Sequence, residues 1–267
     1  MISRKINLYT FMVFISYFFS AHAFCWGKLG HRITAELADK NINEKTKKSI
    51  EDLIGPKVSL ASISNHADFI KSDALMRKKY NHWHYISVDG KITVKEYQMK
   101  NPKKENLIFG INHFTNVLKD SKHSKHSNDE RVFALKMLIH FIGDIHQPLH
   151  VGKSEDRGGN NIKLSWFGVK TNLHAIWDEK LIQLKELSFT EYAEELSHIS
   201  VSDKKQWRQG EVSDWAQESK DYMPKVYNYS SGKYWEYNYN YTHQQFLNSR
   251  LQKGGIRLAA VLDVIFK

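Results

Sequence analysis

The stretch Ala134–His150, ALKMLIHFIGDIHQPLH, places His140 and Asp144 four residues apart, with His150 just beyond Pro148. Residues at i and i+4 share one face of a helix, so this pair offers a nitrogen and a carboxylate oxygen to one point. Asp144 stands among Phe141, Ile142 and Ile145, where an unpaired carboxylate is costly and a coordinated one is not. Pro148 ends the helix, and the turn that follows can return His150 to the same cavity. The spacing recurs in NLHAIWD, where His174 and Asp178 again stand four apart. One HxxxD is an ordinary helical ion pair. Two copies with a satellite histidine point to a site holding more than one zinc.

Outward from this stretch the chain reads as mostly helical. Apolar or small residues recur at Ile33, Ala35, Leu37, Ala38 and Ile42, and Asn43 before Glu44 looks like a cap for a second helix that Gly55-Pro56 closes. Further helical patterns cover 62–79, 104–118, 129–146, 174–184, 190–197, 212–227 and 242–266. Two stretches, 85–94 around Asp89-Gly90 and 160–169 before Phe167-Gly168, read as short hairpins or extended pairs. The segment 119–128, despite two histidines, reads as a polar connection. With no repeat and no linker, the expected fold is mainly α, a single compact helical domain with one or two short β-hairpins.

The 267 residues suffice for one sizeable core. Arg4 and Lys5 precede an apolar aromatic run over 8–19 and a small-residue region ending at Cys25. That is the pattern of a secretory signal peptide, and the run is shorter than the roughly 18 residues a spanning helix needs. Residues 1–25 are therefore expected to be removed before Trp26, leaving a secreted or periplasmic domain over 26–267. Cys25 is the only cysteine, so no internal disulfide is available. The formal net charge is +10, and the leader holds no acidic residue, so the remainder stays basic. That suits a polyanionic partner, and on charge alone it suits a solvated basic exterior equally well.

The remaining metal ligands should be His, Asp or Glu from other segments. WGKLGH at 26–31, HADFIK at 66–71, WHYI at 83–86, HFIGDIHQPLH at 140–150, RGGNNI at 157–162 and NLHAIWD at 172–178 follow one another in the chain. In kind and order they resemble the zinc-dependent single-strand nucleases and 3′-nucleotidases of fungi, plants and bacteria, the S1/P1 type. The resemblance implies three zinc ions per chain. One would be held by Asp68, His84, His140 and Asp144, and a second by His150, His174 and Asp178. The third would use His31, Asp144 and the free amine and carbonyl of Trp26. It implies Asp68, Lys71 and Asp144 as catalytic, with Lys71 steadying phosphate charge.

The implied reaction is hydrolysis of phosphodiester bonds in RNA and single-stranded DNA to 5′-phosphorylated products, with 3′-nucleotides as further substrates. The implied state is a monomer without stable membrane association. Base binding would fall to Tyr85, Gly158 and Asn160. In the fungal members an Asp stands two residues beyond that aromatic, whereas this chain has Ser87, so base selectivity is expected to differ. His66, His82 and His146 match no ligand, and the Tyr234-Trp235-Glu236-Tyr237 run is read as packing. The rival reading is a zinc-dependent phospholipase C, which usually ends the second pair with Glu and spaces its N-terminal Trp further from the next His. A zinc-binding module without catalysis is the third reading, and it would be expected to close its metal sites with protein ligands.

Overall fold

The computed structural model describes residues 26–120, 125–230 and 232–267; the expected signal peptide lies outside the described residues. The longer helices are α1 (Lys28–Asp39), α2 (Glu44–Ile54), α3 (Leu107–Leu118), α4 (Asn128–Asp144), α5 (Phe189–Leu196), α6 (Val212–Asp221) and α7 (Trp235–Ile265). Strands β1 (Lys163–Trp166) and β2 (Val169–Asn172) form one antiparallel hairpin, with Trp166 opposite Val169 across Phe167-Gly168. The fold is mainly α.

Local chemistry explains most boundaries. Asn43 accepts from Thr46 N–H at 2.9 Å to open α2, and Gly55 at φ 94° closes it. Ser127 and Glu130 form a reciprocal capping box that starts α4. The helix expected over 62–79 is instead broken into Leu60–Ile63, His66–Phe69, a 3₁₀ turn at Ile70–Ser72, and Ala74–Tyr80. Asp73 accepts from both Leu75 and Met76 N–H, restarting the helix there, because a capping side chain competes with continuation. The stretch 85–94 is extended but pairs with no strand of its own; Ile86 N–H donates to His150 O at 2.8 Å and Leu107 N–H to Tyr85 O at 3.1 Å. Val94–Lys100, capped by Thr93, and Val201–Trp207 are helices without a long apolar period, and α7 begins earlier than 242.

Two apolar clusters make up the interior. One gathers α3, α4 and parts of α2 and α6 around Phe114, Leu138 and Phe141. The other holds Trp26, Trp177, Leu173, Leu149, Trp166 and Tyr192. Helices α1 and α7 feed both, with Ala35 and Ala38 in the first and Ile33 and Leu37 in the second. The two helices cross closely. A Cβ at Gly255 would lie 2.4 Å from Leu37 Cβ and 3.1 Å from Thr34 O, so only glycine lets the backbones approach. Gly255→Ala is expected to destabilise by about 1–3 kcal/mol through overpacking, which lowers the melting midpoint by several degrees. Gly232→Ala, whose new Cβ would meet only Ser230 Oγ at 4.0 Å, should change it little. Calorimetry of both variants checks this.

Candidate metal centre

The site lies where the two clusters meet. Helix α4 presents His140 and Asp144 from its last two turns, both fully buried, and α1 brings His31 against them. Gly143 makes that approach possible, since a Cβ there would lie 2.6 Å from His31 Nδ1. Asp144 divides its two oxygens. Oδ1 stands 3.3 Å from His31 Nε2 and 3.5 Å from His150 Nδ1. Oδ2 stands 3.0 Å from His84 Nδ1 and 3.5 Å from His140 Nε2. Asp68, from the broken helical stretch, reaches His140 Nε2 at 3.6 Å and pairs with Lys71 at 2.7 Å.

On the other side, a 3₁₀ turn at Pro148–Val151 returns His150 to the cavity. His174 and Asp178 stand 3.2 Å apart, Nε2 to Oδ2, across a junction where the helix widens into a π-turn at Ile176–Lys180. A π-turn shifts the register of the side chains beyond it and is frequent at functional sites. Gly27 N–H donates to Asp178 O at 2.8 Å, which ties the segment carrying fully buried Trp26 to this pair.

Three groups of donor atoms each lie within 4.8 Å of one another: His31, His140 and Asp144; Asp68, His84 and His140; and His150, His174 and Asp178. His140 belongs to two of them, and its ring stacks on that of His31 at 3.7 Å. The histidines are pre-set for coordination. Nδ1–H of His140 donates to Ser64 O at 2.8 Å, that of His150 to His84 O at 2.7 Å, and that of His174 to Gly158 O at 2.6 Å. Each bond fixes the tautomer and leaves Nε2 as the nitrogen turned inward to the cavity. Burial, with help from neighbouring cationic groups, holds His31 and His84 well below the usual histidine range. Burial lowers His140 and His150 to about 4. Burial pushes Asp178 up to about 7, against the pull of His174 and Gln147.

Both nitrogens of His31, Nε2 of His140 and of His150, and Oδ2 of Asp178 are buried without a hydrogen-bond partner among the described residues. Imidazole nitrogens and carboxylate oxygens that converge at 3.2–3.7 Å would be satisfied by cations between them. The donor set of imidazole and carboxylate suits zinc. The residues present therefore fit the metal.

Supporting residues went unread in the sequence. Gln147 donates from Nε2 to Asp178 Oδ1 at 2.6 Å, linking the two halves of the site. Arg250, fully buried, donates to His146 O at 3.1 Å, Trp215 O at 3.0 Å and Ser219 Oγ at 2.8 Å, and pairs with Glu218. It thereby satisfies the chain just past the end of α4, beside Asp144. Arg257 donates to His146 Nε2 at 3.1 Å and to Glu218 at 2.7 Å. Their seven-residue spacing on α7, amid Leu251, Ile256 and Leu258, was the available signal. His146 is thus a buried supporting group, whereas His82 lies at the surface, 3.2 Å from Glu105.

A cleft of about 290 Å³ opens onto the histidines and is walled by Lys71, Tyr85, Ser87, Arg157, Gly158 and Asn160, among others. Tyr85 is 45% exposed there. Tyr234 and Tyr237 are exposed on α7 and its approach, while Trp235 is buried against Trp166.

The S1/P1 Nuclease family model matches residues 26–267. Endonuclease 2 of Arabidopsis thaliana is 30% identical over 271 residues, covering 90% of this chain and 90% of that protein. Endonuclease 4 of the same plant is 31% identical, covering 91% and 90%. Nuclease S1 of Aspergillus oryzae is 28% identical, again over about nine-tenths of both chains. A match across the whole described domain, joined to a buried His/Asp centre beneath an open cleft, means that the chain belongs to the S1/P1 nuclease family.

Proposed function

We propose that the protein is an exported, zinc-dependent endonuclease that hydrolyses phosphodiester bonds of RNA and single-stranded DNA to 5′-phosphorylated products and also acts on 3′-nucleotides. The observation that carries this reading is the convergence of buried imidazole and carboxylate atoms without hydrogen-bond partners on one cleft. Asp68, His84, His140 and Asp144 would hold one zinc, and His150, His174 and Asp178 a second. His31, Asp144 and the amine and carbonyl of Trp26 would hold the third, which requires removal of residues 1–25. Bound zinc supplies positive charge for the transition state and lowers the pKa of water to about 7.

The chain's own residues do the rest. Asp144 aims one oxygen at His31 and the other at His84 and would therefore serve two of the zinc positions. Lys71, held at 2.7 Å from Asp68, keeps an ammonium at the cleft where a phosphate oxygen would lie. Tyr85 offers a face on which any base can stack, and Gly158 and Asn160 line the same cleft. Ser87 in place of a carboxylate leaves that position without a fixed acceptor charge, which favours relaxed base selectivity. Duplexes would react poorly because a base must leave its stack to reach Tyr85. Among the described residues no helix is long and apolar enough to cross a membrane, and we read the active form as a monomer.

Assay of the zinc-loaded protein on RNA, single-stranded DNA, duplex DNA and phosphatidylcholine, with and without chelator, tests this. Cleavage of the two single-stranded substrates to 5′-phosphate ends, abolished by chelator, is the expected result. Release of phosphocholine with intact nucleic acids would replace the nuclease with the phospholipase reading.

A further inference from the structure

Arg157 occupies an unusual backbone position. It is the first of three consecutive left-handed residues, Arg157, Gly158 and Gly159, at φ 56°, 61° and 79°. Gly158 and Gly159 adopt that conformation freely, and Gly158 must lack a side chain because a Cβ would lie 2.4 Å from Leu149 O. An arginine there costs roughly 1–2 kcal/mol. Its N–H donates to Ser154 O at 3.2 Å and its C=O accepts from Asn160 Nδ2 at 2.9 Å, but among the described residues its guanidinium makes no hydrogen bond or ion pair. Any residue with a backbone N–H would provide these backbone contacts.

The side chain instead lines the cleft. Lys71 and Arg157 are the Lys and Arg residues among the described residues that line it, and no Asp or Glu does. Lys71 stands at the Asp68 end, at the metal positions. Arg157 stands on the wall formed by its own loop, one residue from Gly158, whose carbonyl orients His174, and three from Asn160, in the cleft that Tyr85 also lines. On the nuclease reading, the scissile phosphate would lie at the Lys71 end. A second cation without a protein counter-charge, set beside the base wall, calls for a second anion on the same ligand.

The geometry points to Arg157 as a specificity-determining residue that binds the phosphate on the 5′ side of the nucleotide whose base stacks on Tyr85. The preferred substrate is therefore a strand with at least two consecutive phosphates, and a terminal nucleotide without a 5′-phosphate is a poorer one. This rests on the nuclease reading of the same cleft and adds which substrates it favours. The planar guanidinium suits a phosphate through two parallel N–H···O bonds, which a lysine at 157 would reproduce only in part.

The test compares dithymidine dinucleotides with and without a 5′-phosphate. Cleavage is read as kcat/KM, and binding is read by calorimetry on the corresponding phosphorothioate-linked pair. The zinc-loaded protein should favour the 5′-phosphorylated form about tenfold in both readouts, the size expected of one charge-assisted contact. Arg157→Ala and Arg157→Gly should bring both ratios close to one, and Arg157→Lys should keep part of the preference. Arg157→Gly guards against misfolding, because glycine takes φ 56° without strain and should melt no lower than the parent. A ratio near one in the parent, or an unchanged ratio in Arg157→Gly, overturns the assignment while leaving the nuclease reading intact. A binding preference that depends on Arg157 in a protein that cleaves neither the dinucleotides nor single-stranded DNA and RNA supports the phosphate site and refutes the nuclease reading.

Discussion

Asp144→Asn is expected to lower nuclease activity by more than about 100-fold and to leave the purified protein short of metal. The substitution keeps the shape of the side chain and removes its charge, so packing in α4 survives. What is lost is specific. One oxygen faces His31 at 3.3 Å, the other faces His84 at 3.0 Å, and an amide would turn an NH₂ towards one of these imidazoles. Loss of a mere supporting partner of a metal ligand typically costs 10–100-fold in affinity or activity, so loss of a ligand serving two positions should exceed that range. Lys71→Ala removes a charge near phosphate and the partner of Asp68 but no donor atom, so it should cost less activity and less metal than Asp144→Asn. Steady-state cleavage of single-stranded DNA, paired with elemental analysis of both variants, measures the contrast. An Asp144→Asn protein with its full metal content and near-normal rate would show that Asp144 is not a shared ligand.

Removing metal should also loosen the fold. His31, His84, His140, His150 and Asp178 are all buried, and Asp178 is already pushed up to about 7 by its surroundings, so the empty centre leaves costly polar atoms between two apolar clusters. A cation that binds only the folded chain stabilises it by about 4 kcal/mol when free metal stands at 1,000 times its dissociation constant. For a domain of this size each kcal/mol shifts the midpoint by roughly 2–4 °C, so chelation should lower it by about 10 °C or more. Zinc should restore the midpoint and magnesium should not, because imidazole donors discriminate against hard cations. Differential scanning calorimetry before and after chelation decides the matter. An unchanged midpoint would mean that the centre holds its shape without metal.

How much was legible in the sequence depended on whether the signal was local. The i, i+4 spacing of His140 with Asp144 and of His174 with Asp178 gave one face of a helix, and the structure places both pairs within 3.5 Å. Asn43 and Gly55 marked the ends of α2 because capping is decided by neighbours a few residues away. The break inside 62–79 was harder. Its apolar period persists through Asp73, and only the competition between that side chain and the helix decides the outcome. The π-turn at Ile176–Lys180 left no mark in an ordinary HxxxD spacing. Arg250, Arg257 and Gln147 act across more than 30 residues of chain, on a backbone carbonyl, an imidazole nitrogen and a carboxylate, and no spacing in their own helix or turn names those partners.

The central claim is that this buried centre is a set of catalytic metal positions, and a zinc titration tests it most directly. Metal-free protein would be titrated with zinc while cleavage of single-stranded DNA and bound metal per chain are followed together. The account predicts no activity at zero zinc, a rise with loading and a plateau at three equivalents per chain. Full activity in the metal-free protein, or a plateau below two equivalents, would contradict it.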